Sequence, residues 1–322
     1  MAAQPTPAET ISVIDSLSYA PPGYRRGHAR GIGVRGTFRA STEARALTSA
    51  EHFQGGAIPC VARFSNASAN PCAPDRISGT EGRVQGLAIR FELPSGAAAT
   101  WAGINIPVFP ARDPAEFLAL TKAQAAKPGG KPNLRKLIWH LIRHLHILTS
   151  VKHIKALRPL RTYGMETFHG IHVYYLVDAK GNRKPFRYRW VPSLAGTTLA
   201  PAEAEAQPKL YLLNELRSRL GKGPLTWDLI AQFGEGGDPV NDPSAAWPAG
   251  RLEMPLGRLT LDRVHVDQKA VEGMVFDPTG VVPGLALSDH PILHFRAAVY
   301  GESYSRRTSE TRTESAPEDM GQ

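Results

Sequence analysis

The chain has 322 residues, 42% of them hydrophobic and 8% aromatic, and a formal net charge of +9. That is ample material for a buried core, and no run approaches the ~18 uninterrupted apolar residues that a membrane-spanning helix needs. The basic residues are spread over several segments without a helix-turn-helix, zinc-finger or RNA-binding signature. The charge therefore argues for anionic small molecules or lipid surfaces rather than nucleic acid.

The start, MAAQPTPAETISVIDSL, has no basic region followed by an apolar one, so no secretory signal is read there. Cys60 and Cys72 are the only cysteines. Two thiols without an export signal fit a reducing cytoplasm. Residues 10–17 read as a short helix, closed by Pro21, Pro22 and Gly23. Gly31, Gly33 and Gly36 then satisfy the dinucleotide-fingerprint spacing. The context fails, because no apolar strand precedes them and TFRAST alternates like a strand instead of opening a helix. The stretch reads better as a glycine-rich strand with something flat and bulky close to its backbone. Strands follow at 57–65, 84–93 and 101–109, the last with Asn105 as the one amide in an apolar run. A helix starts at Asp113, with Pro114 in its first turn and Phe117 and Leu120 turned inward.

Residues 131–161 hold many Lys, Arg and His and no Asp or Glu. Leu134, Leu137, Ile138, Leu141, Leu145 and Leu148 make one apolar helical face, which reads as the side packed on the barrel. A sharper alternative is contact with a lipid surface or an acyl carboxylate. His140 and His144 have the spacing to share a metal, but no third ligand is evident. A hairpin is clear at 168–177 and 186–191 around the turn DAKGNRKP. Residues 201–221 read as a helix interrupted near Pro208, and 225–233 and 256–264 as strands. Hairpin strands with segregated helices argue for an α+β fold on an antiparallel barrel.

The stretch PILHFRAAVYGESYSRR, residues 291–307, reads as a helix. It sets Arg296, Tyr300 and Tyr304 on one face with Arg307 near them. A cation beside a phenol favours the phenolate, which is a hard axial ligand for ferric haem. An ordinary amphipathic helix with a cation–π pair has the same spacing.

Several phrases occur together in order: RRGHARGIGVRGTF, ARFSNASA, GLAIRF, INIPVFPARDPAEF, WPAGRLEMPLGRLTL, VFDPTGVVPGLALSDH and RAAVY. On these, from about His28 to Arg307, the chain resembles the catalase family. It departs in having Tyr304 where large catalases often place a histidine, and in ending soon after Tyr300. The resemblance is thus to the compact branch, the catalase-related peroxidases. It implies a catalase-like antiparallel β-barrel core with surrounding helices and a haem pocket, lacking the outer helical and C-terminal regions of large catalases. The haem-binding domain would span 21–307, between an N-terminal segment 1–20 and a disordered tail 308–322.

The resemblance also assigns roles. His28 is the distal histidine that moves a proton during O–O cleavage, Ser65 fixes its ring, Asn105 holds the peroxide and Phe117 lines the distal pocket. Tyr300 is the proximal ligand of haem b, kept ionised by Arg296. Arg25, Arg63 and Arg307 match propionate-contacting or proximal positions. The implied activity is reduction of hydrogen peroxide or organic hydroperoxides by an organic electron donor, with weak catalase activity, in a monomer or small homo-oligomer. Alternatives are a true catalase, a fatty-acid hydroperoxide isomerase of the allene oxide synthase type, and a non-catalytic haem-binding protein that needs Tyr300 but neither His28 nor Asn105.

Overall fold

The computed structural model describes residues 4–17, 20–75, 83–124 and 134–311. Helix α1 (Pro7–Leu17) leads to β1 (Gly31–Ala40), the one-turn helix α2 (Ala44–Leu47), and strands β2 (Ala57–Asn66), β3 (Gln85–Glu92) and β4 (Ala98–Ile104). Helices α3 (Pro114–Gln124), α4 (Leu134–Arg143) and α5 (Ile147–Ala156) come next, then the hairpin of β5 (Phe168–Val177) and β6 (Arg183–Pro192). The chain continues through α6 (Pro201–Glu205), α7 (Tyr211–Leu220), β7 (Leu225–Phe233), β8 (Glu253–Val264), α8 (Gln268–Gly273), β9 (Leu285–Leu287) and α9 (Pro291–Ser309).

The strands pair antiparallel in the order β4-β3-β2-β1-β8-β7-β6-β5, with β9 beyond β5. The pair Ile104 and His169 joins β4 back to β5 and closes an eight-stranded barrel. Alternation fills its interior with side chains, as expected for a barrel of this size. β7, for example, sends Leu225, Trp227, Leu229, Ala231 and Phe233 inward. The filling is aromatic: Phe38 meets Phe53, Phe91 and Trp190 edge-on, with ring centroids 5.7, 5.3 and 6.0 Å away. His52 lies in the same core, stacked 5.1 Å from Phe91, and neither of its ring nitrogens is hydrogen-bonded.

β2 breaks the inward–outward alternation and is buried on both faces from Cys60 onward. Two-sided burial means that its outer face is covered too. Part of the cover is Val271 and Phe276, which pack on Val61. This covered wall is where α1, α3 and α9 gather, with α9 packed against both other helices.

Two expectations change. The basic stretch forms two helices, not one, and its apolar face points mainly outward: Ile138, Leu145 and Leu148 are exposed, together with Trp139 and Ile142. The reason is that α4 packs chiefly on α3 and not on the barrel. The strand expected over 101–109 ends at Ile104, where the barrel closes. The short helix read at 10–17 starts at Pro7 and packs on α3 and α9. At the other end α9 runs to Ser309 and Glu310 pairs with Arg26, while residues 312–322 of the expected tail lie outside the described residues. Among the described residues no helix is long and apolar enough to cross a membrane.

Candidate active site

A cavity of about 510 Å³ lies between the outer faces of β2–β4 and helices α1, α3 and α9. Strand register builds its floor. Ser65 pairs with Gly86 and Gly86 with Ile104; Arg63 pairs with Ala88 and Ala88 with Ala102. Gly86, Ala88 and Ala102 keep the floor low enough for a flat ligand. The close approach expected at the glycines of β1 is absent, because those positions are packed by protein. A Cβ there would meet the Arg63 guanidinium at Gly31, Val271 at Gly33 and the Thr260 carbonyl at Gly36.

His28 faces this cavity from the loop before β1. At φ 53° it is the one non-glycine residue with left-handed backbone among the described residues. Such a conformation persists only where the surroundings enforce it. Here Arg63 donates to the His28 carbonyl (3.0 Å), and Arg26 ties the segment to Asp15 of α1 (2.6 Å) and to Glu310 after α9. The ring lies over Gly86, where a Cβ would come 2.8 Å from Cε1, and Nδ1 is 2.9 Å from the Ser65 hydroxyl. Burial, and then the nearby Arg63, Arg296 and Arg25 cations, push the imidazole pKa down to about 3. His28 is therefore a neutral base across the working pH range, with Nε2 left for other partners.

Helix α9 supplies the opposite side. Its four-residue spacing brings Arg296 over Tyr300, and both line the cavity. Arg296 donates from Nε (3.2 Å) and Nη2 to the Tyr300 oxygen. Arginine only donates, so that oxygen is an acceptor. The remaining Arg296 terminus donates to His172 Nε2 (3.1 Å). His172 is consequently a neutral Nδ1–H tautomer, and burial with the Arg296 charge holds its pKa well below the usual value.

Arg25, Arg63 and Arg307 also line the cavity. Glu272 of α8 accepts from Arg25 (3.3 Å) and Arg63 (2.8 Å), while Arg307 donates to the carbonyls of Gly273 and Met274. Burial raises the Glu272 pKa, but the two arginines outweigh it and hold the carboxyl below its usual range. Burial lowers Arg25 to about 9, which still leaves it charged at neutral pH. Phe117 forms part of the wall, stacked 5.6 Å from Phe109. Tyr304 lines the cavity under the Arg307 guanidinium, 5.0 Å from its ring centre.

Asn105 is the exception. Its amide oxygen accepts from Gln85 N (2.8 Å), and its nitrogen donates to the Arg83 carbonyl (3.2 Å) and toward Glu166 (3.5 Å). It is not among the residues that line the cavity. These bonds join the end of β4 to the start of β3, and the chain neighbours of Asn105, Ile104 and Ile106, do line the cavity.

The residues fit a haem. The walls are mostly apolar, an acceptor oxygen stands on one side, and three guanidinium groups face a single carboxylate, leaving cation for a dianionic ligand. Reading the sequence missed Glu272 and His172. Nothing in VEGM marks an acid that sits between two arginines. His172 meets Arg296 inside a break in the β5–β6 register between Gly170 and Tyr174.

Residues 23–315 match the profile of the family described as catalase. The chain is 33% identical over 314 residues to a catalase-related peroxidase of Mycolicibacterium paratuberculosis, covering 97% of this chain and 98% of that protein. It is 32% identical over 305 residues to one of Synechococcus elongatus, covering 94% and 89%. Catalase A of Saccharomyces cerevisiae shares the fold with a TM-score of 0.78 at 20% identity, over 93% of this chain and 63% of that one. The chain thus spans less than two thirds of the solved catalase it matches.

Proposed function

The chain belongs to the catalase family, and on that premise we propose that it is a haem b peroxidase acting on hydrogen peroxide or organic hydroperoxides, with an organic electron donor and weak catalase activity. One observation carries the reading: a strained, neutral His28 and an arginine-bound Tyr300 face the same cavity. Bound haem supplies the redox chemistry, the two electrons that break the O–O bond and that the donor later restores.

The residues do the rest. Tyr300 Oη would hold the iron of a bound haem, with Arg296 fixing the orientation of the phenol. Arg25, Arg63 and Arg307 would hold its propionates, and Phe117 closes the wall. His28 Nε2 takes the proton from the inner peroxide oxygen and returns it to the outer one, which leaves as water or alcohol. Ser65 sets the ring plane. Asn105, set between the cavity-lining Ile104 and Ile106, holds and polarises the peroxide through its amide. Asn105→Ala should accordingly raise KM for peroxide; a lowered melting temperature with KM unchanged would confine Asn105 to joining β3 and β4.

The test is the absorption spectrum of the haem-supplemented protein, with hydrogen peroxide and then an organic donor added to the same cuvette. A Soret band that peroxide shifts and the donor restores supports a peroxidase. Failure to take up haem would leave only the shared fold. If haem binds and His28→Ala turns peroxide over unchanged, the protein is a haem carrier instead.

The outward face of α4–α5 favours an added reading, that the enzyme meets lipid. Trp139, Ile142 and Leu145 are 58%, 59% and 65% exposed, and Arg143 stands over the Trp139 ring at 4.5 Å. Apolar side chains ringed by cations suit an anionic membrane surface. Co-sedimentation with anionic vesicles, reduced by salt and by Trp139→Asp, tests it.

A further inference from the structure

We propose that Glu116, His144 and His146 form a binding site for a zinc-class divalent cation, which fastens α3 to the corner between α4 and α5. Their ligand atoms converge from two separate segments: Glu116 Oε1 lies 2.6 Å from His144 Nδ1 and 2.7 Å from His146 Nε2. All three lie within 4.8 Å of one another. A carboxylate gripped by two imidazoles is ordinarily a hydrogen-bonded pair. Here Glu116 Oε1 and His146 Nε2 are both buried and neither makes an aligned hydrogen bond, despite their closeness. Polar atoms buried without aligned partners are costly, and a shared cation satisfies them together.

The carboxylate is held from behind as metal ligands usually are. Its other oxygen accepts from Arg112 N (2.7 Å), and the Glu116 amide donates to Asp113 Oδ1 (2.8 Å) at the start of α3. Two imidazoles and one carboxylate select zinc and its transition-metal neighbours over magnesium or calcium. A tetrahedral ion with ligands ~2.0–2.1 Å away sets them roughly 3.3 Å apart, so each contact to Oε1 opens by less than about 1 Å. The pair visible in the sequence, His140 with His144, is not this site. The two rings stack 4.4 Å apart, and His140 stays outside the converging set. The neighbour of Glu116 on α3 is Phe117, on the cavity wall. The cation would thus fix that wall and the apolar α4 face in one unit.

The experiment uses the untagged, haem-loaded full chain, stripped with chelator and titrated with Zn2+ by calorimetry and elemental analysis. We expect about one tightly bound zinc per chain, undiminished by excess Mg2+, and a melting temperature that rises until that equivalent is filled. Glu116→Gln and His146→Ala should each weaken zinc by roughly tenfold or more while the Soret band and circular dichroism stay unchanged. His140→Ala should keep the stoichiometry. No saturable binding by the wild type overturns the proposal, and so does zinc retained at full affinity in both ligand variants or lost in His140→Ala alone. Should a variant fail to fold, the wild-type stoichiometry and melting shift still decide.

Discussion

The two sides of the cavity solve opposite electrostatic problems. On the Tyr300 side a cation is brought inward: Arg296 reaches both the phenol oxygen and His172, and every contact is charge-assisted or orients a neutral ring. On the His28 side charge is kept off. The imidazole has one hydroxyl partner, and burial beside arginines prevents its protonation. The contrast teaches why each side needs its own architecture. A fixed charge network is carried well by a helix, whose spacing sets Arg296 over Tyr300. A neutral imidazole needs no such network: a strained loop sets His28 over Gly86, and burial beside the arginines keeps it un-ionised.

Substitutions can break the comparison from either side. Tyr300→Phe should have the largest effect. It removes the acceptor oxygen and leaves Arg296 with only its bond to His172, so haem retention and turnover should fall together; a variant that binds haem with an unaltered charge-transfer spectrum would sink the ligand assignment. His28→Ala should separate the sides, lowering turnover by roughly 10²–10⁴-fold with the haem spectrum kept. Ser65→Ala removes a single hydrogen bond worth about 1 kcal/mol, so kcat should drop only about three- to tenfold. If it falls as far as in His28→Ala, the hydroxyl has a direct part in proton transfer.

What could be read in advance follows the same division. The contact of Arg296 with Tyr300 was legible from helical spacing, and that of His28 with Ser65 from short phrases whose order resembles one family. The barrel was legible because alternation and turns are local signals. Glu272, His172 and the Glu116–His144–His146 cluster were not, since each depends on helices and strands far apart in sequence. The hydrogen bonds of Asn105 were not legible for a related reason. Its position on the strand is clear, but the direction of its amide depends on Gln85, Arg83 and Glu166 across a loop. The basic stretch was misread because periodicity shows a helical face and not what lies opposite it.

The smallest effect sharpens the contrast most. His28 at about 3 implies that turnover per folded molecule has no acid limb near 6.5, the usual imidazole value. Stability should behave otherwise. His28 and His52 are both held near 3 by burial, and burial holds His290 near 4. Each folded-state pKa lies below its unfolded value, so between pH 6.5 and these pKa values the unfolded chain binds more protons. Stability is then full above about 6.5 and drains as pH falls, by ~1.4 kcal/mol per pH unit for each fully coupled histidine. His52 offers a clean probe, because it lies in the aromatic barrel core away from the cavity, with both nitrogens unpaired. His52→Phe should stabilise by about 1 kcal/mol at pH 7 and by more at pH 5. The melting temperature should become less steep with acid while kcat and its pH profile stay fixed. A changed pH–rate profile would mean that the acid response of the core reaches the active site, and that the neutrality of His28 is not set locally.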